Sequence, residues 1–160
     1  MYRKELNDKH YKRSITITDN NEVIINEYSS NIDCKSETLQ TEVKEKYQSV
    51  ARINMGDERF VQCTNGDKVD WYNLILCCKC LSLTNGENVH IEYVAGNAYF
   101  KVIGRDESYA AIYDELGTLL DKADKPIRLD VIFSACGACI QRTDEKGTKR
   151  IYNLEGCLVG

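Results

Sequence analysis

Proline is almost missing from this chain. Pro126 is the only one in 160 residues. Disordered or linker-built chains draw heavily on Pro, Ser and Gly, so this scarcity points to continuous packed structure. Long apolar runs are also missing. No window approaches the roughly 18 apolar residues of a membrane-spanning helix. The opening, MYRKELNDKHYKRSITI, is charged and has no apolar stretch, so it does not read as a secretory signal. Histidine is nearly absent. His10 and His90 are the only two, and neither has a Ser, Cys or Asp at motif spacing, so no catalytic triad is indicated. A glycine-rich phosphate loop is lacking as well, since GNAYFKVIG does not fit the pattern. A net charge of −4 argues against bulk nucleic-acid binding, which runs on phosphate neutralisation. The missing signal and membrane span predict a cytoplasmic protein.

What is present suits a folded domain. Hydrophobic residues make up 42% of the chain, enough for a core. The length predicts one domain, with or without appendages. Ten tyrosines stand against three phenylalanines. Tyrosine offers apolar area with a polar tip, which favours a binding surface.

The chain alternates between two kinds of pattern. SITITDNNEVIINEY has β-branched runs either side of Asp19-Asn20-Asn21, which predicts a hairpin. In SETLQTEVKEKYQS the residues Leu39, Val43 and Tyr47 lie four apart, which predicts a helix from about Ser36 to about Ser49. RFVQCTNGDKV predicts a hairpin turning at Asn65-Gly66. Asp70 then reads as the N-cap of a second helix, with Leu74, Cys77, Cys78 and Leu81 as its buried stripe and Asn85-Gly86 as its exit. NVHIEYVAGNAYFKV predicts two strands around Ala95-Gly96-Asn97. RDESYAAIYDELGTLLDKADK predicts a third helix, capped by Asp106, with Ala110, Tyr113, Leu116 or Gly117, and Leu120 on its stripe. Residues 127–160 predict two or three strands with a turn at 144–147. No internal sequence repeat or low-complexity run is evident. Helices interleaved with antiparallel strands predict an α+β two-layer sandwich.

Residues 23–120 of this pattern resemble HPr, the histidine-containing phosphocarrier family of the sugar phosphotransferase system. The resemblance rests on TNGDKVDWYNLILCCKCLSLTNGENVHI, on GRDESYAAIYDELGTLL as the opening of a last helix, and on NIDCKSETL where the family carries its active-site loop. It implies an open-faced sandwich with about three helices on one face of an antiparallel sheet. It also implies a division into an N-terminal extension (1–22), an HPr-like domain (23–125) and a C-terminal β extension packed on it (126–160).

The departures decide what the resemblance implies for function. Asp33 falls on the family's phosphorylated histidine, Ile32 on the residue before it, Lys35 on its arginine, and Ser36 on its proline. Asn73 falls near the family's regulatory serine. Phosphotransfer is therefore not expected. The implied function is a non-catalytic protein-binding or regulatory module that presents Ile32, Asp33, Cys34, Lys35 and Asn73 to a protein partner.

Two other readings stay open. Cys77/Cys80 and Cys136/Cys139 each form a C-x-x-C, and four thiolates suit tetrahedral zinc. Against this, Cys77 and Cys78 lie on the apolar stripe, where cysteine acts as a small hydrophobe. Cys136/Cys139 alone suggests thiol redox chemistry, although that motif needs a following helix. Cys34, Cys63 and Cys157 have no spaced partner. Arg3, Lys4, Lys9, Lys12 and Arg13, and then Arg142, Lys146, Lys149 and Arg150, form two basic clusters near Tyr2, Tyr11 and Tyr152. They suggest a nucleic-acid groove or, with the acids interspersed, a solvated face. A zinc- or nucleic-acid-binding regulator is thus the alternative function. Zinc is the one cofactor it would use.

Overall fold

A computed structural model describes residues 1–8, 11–30, 37–53 and 59–160. The chain divides into two compact units, Met1–Asn85 and Gly86–Gly160.

The first unit holds two antiparallel four-stranded sheets. In the first sheet β1 (Tyr2–Asp8), β2 (Tyr11–Ile17), β3 (Glu22–Ser30) and β4 (Glu37–Lys46) run in chain order. The second has β5 (Ser49–Ile53), β6 (Phe60–Asn65), β7 (Lys68–Asn73) and β8 (Cys78–Thr84), again in chain order. Ile15, Ile17 and Val23 from the first sheet meet Val61, Cys63, Tyr72, Leu74 and Cys77 in one buried cluster. Full burial of each such aliphatic side chain contributes about 1.5–3 kcal/mol.

The second unit repeats the plan. β9 (Asn88–Val94), β10 (Asn97–Ile103), β11 (Tyr109–Tyr113) and β12 (Leu119–Asp124) form one meander. β13 (Arg128–Ser134), β14 (Gly137–Thr143) and β15 (Lys149–Tyr152) form a three-stranded one. Its core joins Tyr99, Ala110, Ile112 and Ala123 to Leu129, Val131 and Ile140. Each meander, taken alone, has the up-and-down strand order of a propeller blade. Successive meanders open at Tyr2, Ser49, Asn88 and Arg128, which are 47, 39 and 40 residues apart.

The α+β sandwich with three helices is therefore corrected to a nearly all-β architecture, and with it goes the HPr-like fold. Among the described residues the one helical element is a 3₁₀ turn at Arg105–Glu107. Each expected helix fails for a physical reason. Leu39 and Val43 lie four apart, an even spacing that occurs in strands as readily as in helices, and a bulge at Gln40 interrupts the alternation between them. Both lie in β4, and Tyr47 follows it. The stripe at 74–81 is a hairpin instead. The Asn73 side-chain oxygen accepts from the backbone N–H groups of Ile75 and Leu76, both at 3.0 Å, and this Asx turn reverses the chain. Trp71 then pairs with Leu81, and Asn73 with Cys78. Residues 105–124 split at Asp114, whose carboxylate accepts from the N–H groups of Leu116 and Thr118, both at 2.9 Å. Gly117 completes that turn at φ +88°. Asp144 with Gly147 and Asn153 with Gly156 repeat the device.

The predicted hairpins do form, at β2–β3, β6–β7, β9–β10 and across 144–147. The last segment has three strands. No helix among the described residues is long and apolar enough to cross a membrane.

Candidate functional site: a buried hydroxyl–carboxylate network beside an open sheet edge

Strand alternation places Lys68, Asp70 and Tyr72 on one face of β7. Register brings Ser82 of β8 opposite Asp70 and Lys79 opposite Tyr72. The short link from β4 to β5 adds Tyr47, and the end of β4 adds Glu45. Asp70 is 0% exposed, so its charge has to be met from within the protein.

Four groups meet it. Ser82 Oγ donates to Asp70 Oδ1 at 2.6 Å, and Tyr47 Oη donates to Oδ2 at 2.5 Å. The ammonium groups of Lys68 and Lys79 lie 3.3 and 3.4 Å from Oδ2. Tyr47 Oη also contacts Glu45 and lies 2.6 Å from Tyr72 Oη. A phenol carries one proton, so Tyr47 serves one carboxylate at a time. Lys68 and Lys79 hold Glu45 at 3.2 and 3.1 Å. The rings of Tyr47 and Tyr72 meet edge to face with centroids 6.1 Å apart.

Burial alone would raise the Asp70 carboxyl. The hydrogen bonds from Ser82 and Tyr47, with the two lysines, outweigh it and hold the group at about 2. Glu45 also sits below the ordinary carboxylate range: burial acts upward, and Tyr47, Lys79 and Lys68 overcome it. Burial, reinforced by hydrogen bonds to the carboxylates, drives the Tyr47 hydroxyl far above its usual value. Burial raises Tyr72 as well, with the Glu45 and Asp70 charges adding to it. Burial and the same two charges push the Cys63 thiol up to about 12. The cluster thus has ionised carboxylates and protonated phenols at neutral pH, tied to one another.

Beside this network a groove of about 260 Å³ opens between the two sheets. Val23, Ile25 and Val43 line one side of it, and Tyr72, Cys78 and Lys79 the other. The Arg13–Glu27 pair, at 2.9 Å, sits within it. β4 is the outermost strand of its sheet. Leu39 and Val43 on that strand are 48% and 58% exposed.

The residues expected to carry function are placed as follows. Ile32, Asp33, Cys34 and Lys35 lie outside the described residues, as do His10 and Lys9. Asn73 is fully buried, and its side chain builds the β7–β8 turn. Asp70, expected as a helix cap, is the centre of the network. Cys77 and Cys80 are buried in the first unit, where their thiols donate to the carbonyls of Leu74 (3.7 Å) and Trp71 (3.3 Å). Cys136 lies exposed in the β13–β14 turn of the second unit, and Cys139 is buried 3.1 Å from Ser134 Oγ. A strand, not a helix, follows that pair. Among the described residues no group of three or more His, Cys, Asp or Glu side chains is arranged to hold a metal ion. His90 is exposed on β9. Several residues of the basic clusters face carboxylates: Arg3 and Lys12 meet Glu5, Arg13 meets Glu27, and Arg142 meets Asp121.

Sequence reasoning missed the network because DKVDWYN was read across a helix boundary. Read as a strand, its alternation of Lys68, Asp70 and Tyr72 is the signal. Comparison with models of known protein families gave no match, and none of the curated proteins matches this sequence.

Proposed function

We propose that the protein is a non-catalytic binding module that holds an extended segment of a protein partner along β4. The observation that carries this is the outer edge of β4, which no further strand pairs among the described residues, with Leu39 exposed on it and Val43 exposed at an apolar groove. An edge strand offers a row of backbone donors and acceptors, and an added strand takes them up while its side chains fill neighbouring pockets. Charge divides the edge. Glu42, Lys44, Glu45 and Lys46 occupy its C-terminal half, where charges discourage promiscuous pairing. Between Glu37 and Glu42, the four residues Thr38, Leu39, Gln40 and Thr41 carry none, so this stretch favours a partner strand with apolar side chains.

The network supports a binding role over catalysis. General acids and bases work best with a pKa near the operating pH. Asp70 and Glu45 are both held below the carboxylate range, and their hydrogen-bonding capacity is used internally. Their role here is to fix β4 and its groove against the second sheet. Free thiols at Cys63, Cys77, Cys136, Cys139 and Cys157 suit a reducing compartment such as the cytoplasm.

Chemical cross-linking of captured partners tests the reading. Cross-links should map to residues 37–46, and the purified partner should bind the wild-type protein. A Leu39→Glu/Val43→Glu variant, altered only at exposed positions, should lose it, while Phe133→Glu should not. Unchanged partner affinity in the β4 variant would refute the proposal.

A further inference from the structure

The second unit contains a pocket of about 340 Å³ between the β10–β11 face and the connection from β12 to β13. Pockets for small ligands run from roughly 300 to 1,000 Å³, so this one fits a compact molecule. Its apolar lining comes from Ile103, Ala110, Ile127 and Leu129. Three cationic side chains, Lys101, Lys125 and Arg128, also line it.

These three cations are not equivalent. Lys101 Nζ donates to Asp130 Oδ1 at 2.7 Å, so its charge is met. Lys125 and Arg128 are exposed and make no ion pair among the described residues. Glu107, also at the rim, is the one acid lining the pocket. The rim therefore carries a net positive charge over an apolar floor.

Two further observations mark the pocket as built. The Tyr109 wall is held on three sides. Its hydroxyl donates to Glu87, Lys122 Nζ lies 4.4 Å from the ring centroid, and Gly104 approaches so closely that a Cβ there would clash with the ring. The adjoining rim is strained. Asp106 and Glu107 are consecutive non-glycine residues at φ +56° and +57°. Left-handed backbone at such residues is disfavoured and clusters at ligand-binding segments.

We infer that this pocket binds a small organic anion, with an apolar body against Ile103 and Ile127 and a carboxylate or phosphate head between Lys125 and Arg128. This site is separate from β4, and the inference does not rest on the proposed partner strand.

Titration by NMR with four probes tests it: naphthoate, naphthyl phosphate, naphthalenemethanol and naphthylmethylamine. Both anions should shift the amides of Ile103, Ala110 and Ile127 in a saturable way, and the amine should not. Comparing the two anions identifies the preferred head. A Lys125→Gln/Arg128→Gln variant, changed only at exposed side chains, should weaken the better anion about tenfold or more, or about 1.4 kcal/mol. Glu107→Gln should tighten it. If no probe shifts these amides, if the alcohol or the amine binds as well as the anions, or if the double variant binds unchanged, the inference is wrong.

Discussion

Replacing Tyr47 with Phe keeps the ring that packs against Tyr72 and removes only the hydroxyl that donates to Asp70 at 2.5 Å. A hydrogen bond to a buried charged group contributes about 1.5–3 kcal/mol, and leaving the carboxylate short of a donor forfeits it. Tyr47→Phe should therefore lower stability at pH 7 by about that amount. The pH dependence separates this cause from lost packing. Asp70 titrates at about 2 when folded, below its ordinary 3.8. Its ionised form thus stabilises the fold by about 2 kcal/mol above pH ~4, and that contribution is lost as pH falls through ~2. In the Phe variant the folded carboxyl moves back toward its ordinary value, so the gap between the proteins should narrow from pH 4 to pH 2. Urea unfolding followed by the fluorescence of Trp71, the single tryptophan and a neighbour of Asp70 on β7, reads this unit directly. A loss below about 0.5 kcal/mol at pH 7, or one of equal size at pH 2, would refute the reasoning.

Other predictions concern positions elsewhere in the chain. A maleimide reagent at pH 8 should modify the exposed Cys136 and Cys157 quickly, while Cys63, buried and raised to about 12, should stay unmodified until urea is added. Mass spectrometry of the labelled peptides distinguishes them. Ile112→Ala empties a fully buried site in the second unit and should cost about 2–5 kcal/mol, visible as a lowered thermal midpoint. Gly147→Ala meets no neighbouring atom but forces alanine into φ +84°, so a loss of about 1–2 kcal/mol from backbone strain alone is expected in the same assay.

The turns were legible in the sequence because Gly, Asn and Asp impose specific backbone geometry. Asn65-Gly66, Ala95-Gly96 and 144–147 all sit at real hairpins. The elements between them were not, because spacings of three and four recur by chance in short strands joined by tight turns. Leu74, Cys77, Cys78 and Leu81 imitate a helical stripe, although Leu74 and Cys77 belong to a turn and Cys78 and Leu81 to β8. Strand propensity was the better guide there, since Val69, Trp71 and Tyr72 all favour pleated structure. The network was hidden for a related reason. Asp70 is a good cap in isolation, and only the register that sets Ser82 opposite it shows what it does. The meander repeat was invisible to residue identity, since its sheets share turn chemistry and length rather than sequence.

The Asp70 network and the binding role proposed for β4 both depend on 71–81 being a hairpin and not a helix. NMR contacts across that segment test this most directly. Trp71 should contact Leu81, and Asn73 should contact Cys78, as antiparallel partners. Sequential contacts from each residue to the third one on, running unbroken from Trp71 to Leu81, would contradict the account and return Asp70 to the role of a helix cap.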